Sequence, residues 1–157
     1  MEIIRQTGNA KLLSLHKTAF LCSRRMPDGA YPVIRSWVQT LSAEDDCIIC
    51  GNHSPMEQVV CAWLLQQKIP TILVLAETFP SQWPPVLETA LREERLLVAT
   101  RCDESVHRVN RQSAFDRNEL MLSIADEVVV GYCAEGGNIE KQVCSLPNVR
   151  YLLTNKR

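Results

Sequence analysis

Apolar runs of strand length, separated by stretches of helical periodicity, constrain this chain more than any other feature. Six such runs follow one another, at 17–22 (Lys-Thr-Ala-Phe-Leu-Cys), 47–50 (Cys-Ile-Ile-Cys), 71–76, 96–100, 127–132 and 149–153. A strand that is apolar throughout is buried on both faces, which is the condition of a parallel sheet lying between two layers of helix. Between the runs, 31–41 sets Val33, Ile34, Trp37, Val38 and Leu41 at helical spacing. A second helix opens at Ser54-Pro55 with Glu57 and carries Val59, Val60, Trp63 and Leu64 on its apolar face. Ser54 is a good N-cap, and Pro55 suits a first helical turn. Short helices are expected over 85–92, after a proline-punctuated loop, and after the turn at 134–138. The stretch 101–113 is polar and reads as irregular, with a helix running on from it to about Ile124.

This alternation leads to the same class by a second route: α/β, doubly wound, a mostly parallel Rossmann-like sheet of about six strands with helices on both faces. The expected strand order is fourth, third, second, first, fifth, sixth. No internal repeat, low-complexity tract or linker interrupts the 157 residues, so a single domain is expected over 1–157.

Charge removes several function classes. Lys and Arg total 17 against 18 Asp and Glu, so no global field draws the protein to nucleic acid, and any polyanion site has to be local. No apolar run is long enough to span a bilayer, and Met-Glu-Ile-Ile-Arg lacks a signal-peptide pattern. We therefore expect a cytoplasmic location and no membrane partner. The seven cysteines form an odd set embedded in apolar stretches, which suits reduced, packed thiols. Cys47 and Cys50 spell a C-x-x-C, but three residues apart in a strand they face opposite ways and cannot share a metal. No metal and no cofactor is expected.

In doubly wound sheets ligands bind beyond the carboxyl ends of the strands, where connections diverge. The loops that meet this condition are Ser23-Arg24-Arg25, Gly51-Asn52-His53-Ser54 and Glu135-Gly136-Gly137-Asn138, with Asp116-Arg117-Asn118 on the helix before the fifth strand. Each has two readings. Gly136 and Gly137 serve either a turn at positive φ or the close approach of an anion to a helix N-terminus. Arg24 and Arg25 are either solvated charges or phosphate ligands. His53 has no obvious carboxylate or cysteine partner nearby in sequence, which favours a solvated loop histidine over a catalytic one.

These segments also carry a resemblance. Leu12-Leu13 and then Ala19-Phe20-Leu21-Cys22-Ser23-Arg24 resembles the strand and Ser-Arg turn opening the Rossmann-like domain of the DNA-processing protein A (DprA/Smf) family. Residues 50–57, Cys-Gly-Asn-His-Ser-Pro-Met-Glu, fall where that family has Ser-Gly-Gly-Ala-Arg-Gly-Ile-Asp, at equal length. Arg117-Asn118-Glu119-Leu120-Met121-Leu122-Ser123-Ile124-Ala125, with the valine-rich strand after it, is similar to the family's Arg-Asn-Arg-Ile-Ile-Ala-Gly-Leu-Ser. The resemblance runs from about residue 8 to residue 142. It implies a domain that binds a nucleotide or single-stranded nucleic acid through phosphate and acts with a recombinase in DNA uptake or processing, with a homodimer left open. Carried over by position, Ser23, Arg24, Arg117 and Asn118 would line the anion pocket. Gly51, Asn52 and His53 would form its second loop, with Gly51 supplying backbone. Gly136 and Gly137 stand in place of a Ser-Gly-Ser turn. The second loop departs from the family pattern at Asn52, Ser54 and Glu57, where glycine, arginine and aspartate are usual.

Two alternatives remain open. The chain is also similar to the lysine-decarboxylase-like (LOG-type) phosphoribohydrolases, through Arg117 and Met121, Ala125-Asp126, and Gly136-Gly137. Their Gly-Gly-x-Gly-Thr-x-x-Glu motif continues here with Ile139, Glu140 and Val143, so the catalytic glutamate position is apolar. No catalytic residue is assigned, and binding is expected rather than turnover. The other alternative is a degenerate scaffold for protein–protein contact.

Overall fold

The apolar runs pair as strands of one sheet in the computed structural model, which describes residues 2–153. In chain order the strands are β1 (Arg5–Gly8), β2 (Thr18–Leu21), β3 (Ile48–Cys50), β4 (Thr71–Leu75), β5 (Leu96–Thr100), β6 (Glu127–Val130) and β7 (Val149–Tyr151). They lie in the order β1-β5-β4-β3-β2-β6-β7. All neighbours run parallel except β1, which pairs antiparallel with β5 from Arg5 opposite Thr100 to Gly8 opposite Leu97. The six strands expected from the sequence thus stand in the expected order, and β1 is a seventh. It escapes an apolar-run reading because Arg-Gln-Thr-Gly holds no large apolar side chain: at this edge of the sheet its residues are exposed except for the half-buried Thr7.

Among the described residues a 3-10 turn at Ala10–Ser14 joins β1 to β2, and five α-helices connect the rest: α1 (Ala30–Gln39), α2 (Pro55–Gln66), α3 (Pro85–Arg92), α4 (Arg111–Ile124) and α5 (Asn138–Val143). Strand alternation divides the core cleanly between the two faces. Phe20, Ile48, Cys50, Leu73 and Val98 meet α1, α2 and α3 through Ile34, Trp37, Val60, Leu64 and Leu87. Ala19, Leu21, Cys47, Ile49, Val74 and Leu97 face α4 and α5 through Leu120, Met121 and Val143. Cys47 and Cys50 therefore belong to opposite layers, as their spacing in a strand requires. Each large aliphatic side chain buried this way contributes roughly 1.5–3 kcal/mol. No helix among the described residues is long and apolar enough to cross a membrane.

The topology fixes where a ligand can sit. From β2 the chain proceeds outward through β3, β4 and β5, then returns to lay β6 on the other side of β2. The connections after β2 and β6 leave in opposite directions, which opens a crevice beyond the carboxyl end of β2.

Candidate functional site

Three loops and one helix converge on that crevice. The loops after β2 and β6 are stitched together: Ser23 N donates to Tyr132 O at 2.8 Å, and Ser23 Oγ accepts from Ala134 N at 2.8 Å. Ser23 thereby turns the chain so that Arg24 follows at the rim, exposed to solvent. Between the loops lies a cavity of about 420 Å³, lined by Ser23, Arg24, His53, Arg111, Arg117 and Asn118 among others.

Beneath it is a buried ion pair. Arg117 Nη2 donates to Glu57 Oε2 at 2.8 Å and Nη1 to Oε1 at 3.3 Å, with the two side chains only 6% and 4% exposed. Glu57 Oε1 also accepts from the backbone N–H of His53 (3.1 Å) and of Ser54 (2.9 Å). Ser54 Oγ reciprocates by accepting from Glu57 N, which completes a capping box at the start of α2. One carboxylate therefore caps a helix, fixes the loop after β3 and neutralises a buried guanidinium. Arg117 Nε and Nη2 both donate to Asn118 Oδ1, and Asn118 Nδ2 donates to Gln142 Oε1, which ties the pair to α5. Gly51 lies flat on this guanidinium: a Cβ there would collide with Arg117 Nη1. Among the described residues no buried side-chain nitrogen or oxygen lacks a hydrogen-bond partner, so the pair is fully compensated.

With Arg117 engaged by Glu57, the outward positive charge comes from two other residues. Arg24 makes one long contact, Nη1 to His53 Nε2 at 3.5 Å. Arg111 is exposed at the first position of α4 and has neither an ion pair nor a side-chain hydrogen bond among the described residues. That helix end is built by a second capping box, in which Asn110 Oδ1 accepts from Ser113 N (2.8 Å) and Ser113 Oγ accepts from Asn110 N (2.9 Å). Two guanidinium groups and a helix N-terminus around one cavity favour an anion there. Burial pushes the Cys22 thiol, on the cavity wall, up to about 12, so it brings no negative charge.

Of the residues singled out by sequence, Ser23, Arg24, His53, Arg117 and Asn118 are brought together around the cavity, and Gly51 lies beneath it against Arg117. Asn52 faces a separate cavity beyond β4. Gly136 takes φ +78° and Gly137 caps α5, while the following Asn138 and Ile139 reach the cavity. Arg111 is not among the sequence candidates, and Glu57 reads there as a residue of the first turn of its helix and not as the partner of Arg117. The signals for them are local: Asn110 and Ser113 stand at capping-box spacing inside a stretch that reads as irregular, and Ser54-x-x-Glu57 repeats that spacing.

A doubly wound, mostly parallel sheet with a crevice at its switch point defines a Rossmann-like α/β domain. The family model for DNA recombination-mediator protein A matches residues 2–143, and the chain belongs to that family. Among solved structures it is similar to DNA processing protein A (DprA) from Streptococcus pneumoniae. The TM-score is 0.71 at 18% identity, covering 93% of this chain and 53% of that one. It is also similar to DNA processing protein A from Helicobacter pylori, a structure described for its unique single-stranded DNA binding mode. There the TM-score is 0.65 at 17% identity, covering 85% of this chain and 62% of that one. The chain thus spans between half and two thirds of the length of these relatives. None of the curated proteins matches it.

Proposed function

We propose that this domain binds the phosphate of a single-stranded nucleic acid or nucleotide in the crevice, without chemistry, as part of DNA uptake or processing. The observation that carries the reading is the pairing state of the cations. Arg117 is neutralised by Glu57, whereas Arg24 and Arg111 stand at the cavity with no carboxylate upon them. Guanidinium groups grip phosphate through paired donors. The single-stranded DNA described for the Helicobacter pylori relative supports extending this from phosphate to a strand.

Binding is favoured over hydrolysis because, among the described residues, the position of the hydrolase glutamate is apolar and the carboxylates of Glu57 and Glu140 are engaged in structural contacts. Val143, at the position of the hydrolase glutamate, is buried against the sheet. Glu140 Oε1 accepts from Gly136 N at 2.7 Å, so it braces the turn before α5. Glu57 is held by the ion pair and the helix cap. The free thiols of all seven cysteines suit the reducing cytoplasm. Assembly as a homodimer remains a proposal, read directly by light scattering.

A thermal-shift panel of nucleotides and short single-stranded oligonucleotides tests the reading. A ligand at a hundred times its dissociation constant stabilises by roughly 2.7 kcal/mol. An upward shift with an oligonucleotide, and no free base released from adenosine or cytidine monophosphate, is expected. Base release abolished by Glu140→Gln would turn the assignment to the hydrolase, and silence across the panel to a protein-contact scaffold.

A further inference from the structure

The crevice is not the largest cavity. A second, of about 740 Å³, opens beyond the carboxyl end of β4, between the loop at 76–84 and the segment before α4. Its chemistry is different. Phe79 and Trp83 stand in its wall edge to face, with ring centroids 5.0 Å apart, and the Arg5 guanidinium lies 4.8 Å over the Phe79 ring. Trp83 packs in part against the core, and being half-buried it still contributes surface to the cavity wall. Glu77 and Glu104 line the cavity together with Arg5 and His107, so the wall has no excess of positive charge to hold a phosphate. Its carboxylates are acceptors only, suited to N–H donors, and the Asn52 amide adds both a donor and an acceptor. A flat ring that stacks on an indole and presents amino groups at its edge satisfies all of these at once.

The two cavities adjoin through one loop. Asn52 lines the aromatic cavity, and His53, the next residue, lines the basic crevice. The capping box and ion pair of Glu57 hold that loop in place. Phosphate chemistry lies on one side of two consecutive residues, and base chemistry on the other.

We propose that the aromatic cavity is a nucleobase subsite, in which a base of the bound strand stacks on Trp83 with its polar edge toward Glu77, Glu104 and Asn52. The inference rests on the crevice being the phosphate site, and it adds what the rest of the nucleotide touches.

The test compares an oligodeoxyadenylate with an abasic strand of equal length, on the full chain and on its Trp83→Leu, Trp83→Phe and Arg24→Ala variants. Thermal unfolding first establishes that each variant is folded. Trp83→Leu is expected to weaken the base-bearing strand about tenfold while leaving the abasic strand unchanged, since stacking acts on bases alone. Trp83→Phe is expected to recover most of that loss, and Arg24→Ala to weaken both strands. Wild-type affinity for the base-bearing strand in Trp83→Leu, with the Arg24→Ala defect intact, would overturn the subsite and leave the crevice standing. If neither strand binds, adenosine alone separates the two readings. Tryptophan quenching by adenosine that is lost in Trp83→Leu keeps the base subsite and removes the strand; no response to adenosine removes both.

Discussion

Glu57 is the residue on which the site depends most, and its place there follows from three separate demands on one carboxylate. It caps α2, holds the backbone of His53 and Ser54, and pairs with Arg117 at 2.8 Å. Glu57→Ala leaves a buried guanidinium without its counter-charge, and a cost of about 3–5 kcal/mol is expected in urea unfolding. Gly51→Ala drives a methyl group into the same guanidinium, which is fixed by its bonds to Glu57 and Asn118 and cannot yield. The expected penalty there is about 1–3 kcal/mol, typical of overpacking. The thiols give a third check at this scale. Burial raises Cys22 from 9.0 to about 12 and Cys47 from 9.0 to about 11, whereas Cys144 is exposed. Mildly alkaline iodoacetamide followed by peptide mapping is expected to label Cys144 and to spare Cys22 and Cys47 until the protein unfolds. Because both buried thiols are raised, their share of stability is whole below about pH 9 and falls as pH climbs toward 11 and 12. Denaturation midpoints that stay flat over that window would contradict the burial of these groups.

Among the elements, the starts of α2 and α3 speak in the sequence and the ends of the same two helices do not. Ser54-Pro55 announces α2, and Pro85 announces α3. Both helices end on a side-chain-bearing residue in the left-handed region, Lys68 at φ 60° and Glu94 at φ 61°, where glycine is usual. The backbone closes each end regardless, with Ile69 N donating to Leu64 O at 2.9 Å and Arg95 N to Ala90 O at 3.2 Å. Lys68→Gly and Glu94→Gly relieve the steric cost of a Cβ in that conformation and are each expected to raise stability by up to about 1 kcal/mol in thermal unfolding. The same contrast governs what the sequence made legible. Strands buried on both faces announce themselves by composition, and β2 to β6 were readable for that reason; β7, an edge strand exposed at Arg150 and Tyr151, was readable only through the apolar side chains of the run 149–153. β1 has one neighbour and exposed residues, so nothing in its composition marks it. The start of α4 was hidden because Asn110 and Ser113 are polar residues in a polar stretch, and their pairing becomes visible only as two reciprocal hydrogen bonds. That omission concealed Arg111. Arg24 and Arg117 were legible as arginines, but not their different states, because the partner of Arg117 lies 60 positions away.

For the whole molecule, the division of labour follows from topology. The reversal at β2 opens the crevice, the loop after β3 separates it from the aromatic cavity, and the Arg117–Glu57 pair fixes that loop from below. Net charge near zero gives the molecule no global field for an anion, so the proposed phosphate site has to rest on local cations, Arg24 and Arg111 at the crevice. The central claim is that these two exposed arginines, and not the buried one, meet the phosphates. It is tested most directly by fluorescence-anisotropy titration of single-stranded DNA across a salt series, comparing wild type with Arg24→Ala/Arg111→Ala. Each phosphate contact on a single strand contributes about 0.7 to the slope of log affinity against log salt. Loss of affinity in the double variant with the slope flattened by about 1.4, at unchanged thermal stability, is the predicted result. Wild-type affinity and slope in that folded variant would contradict the account.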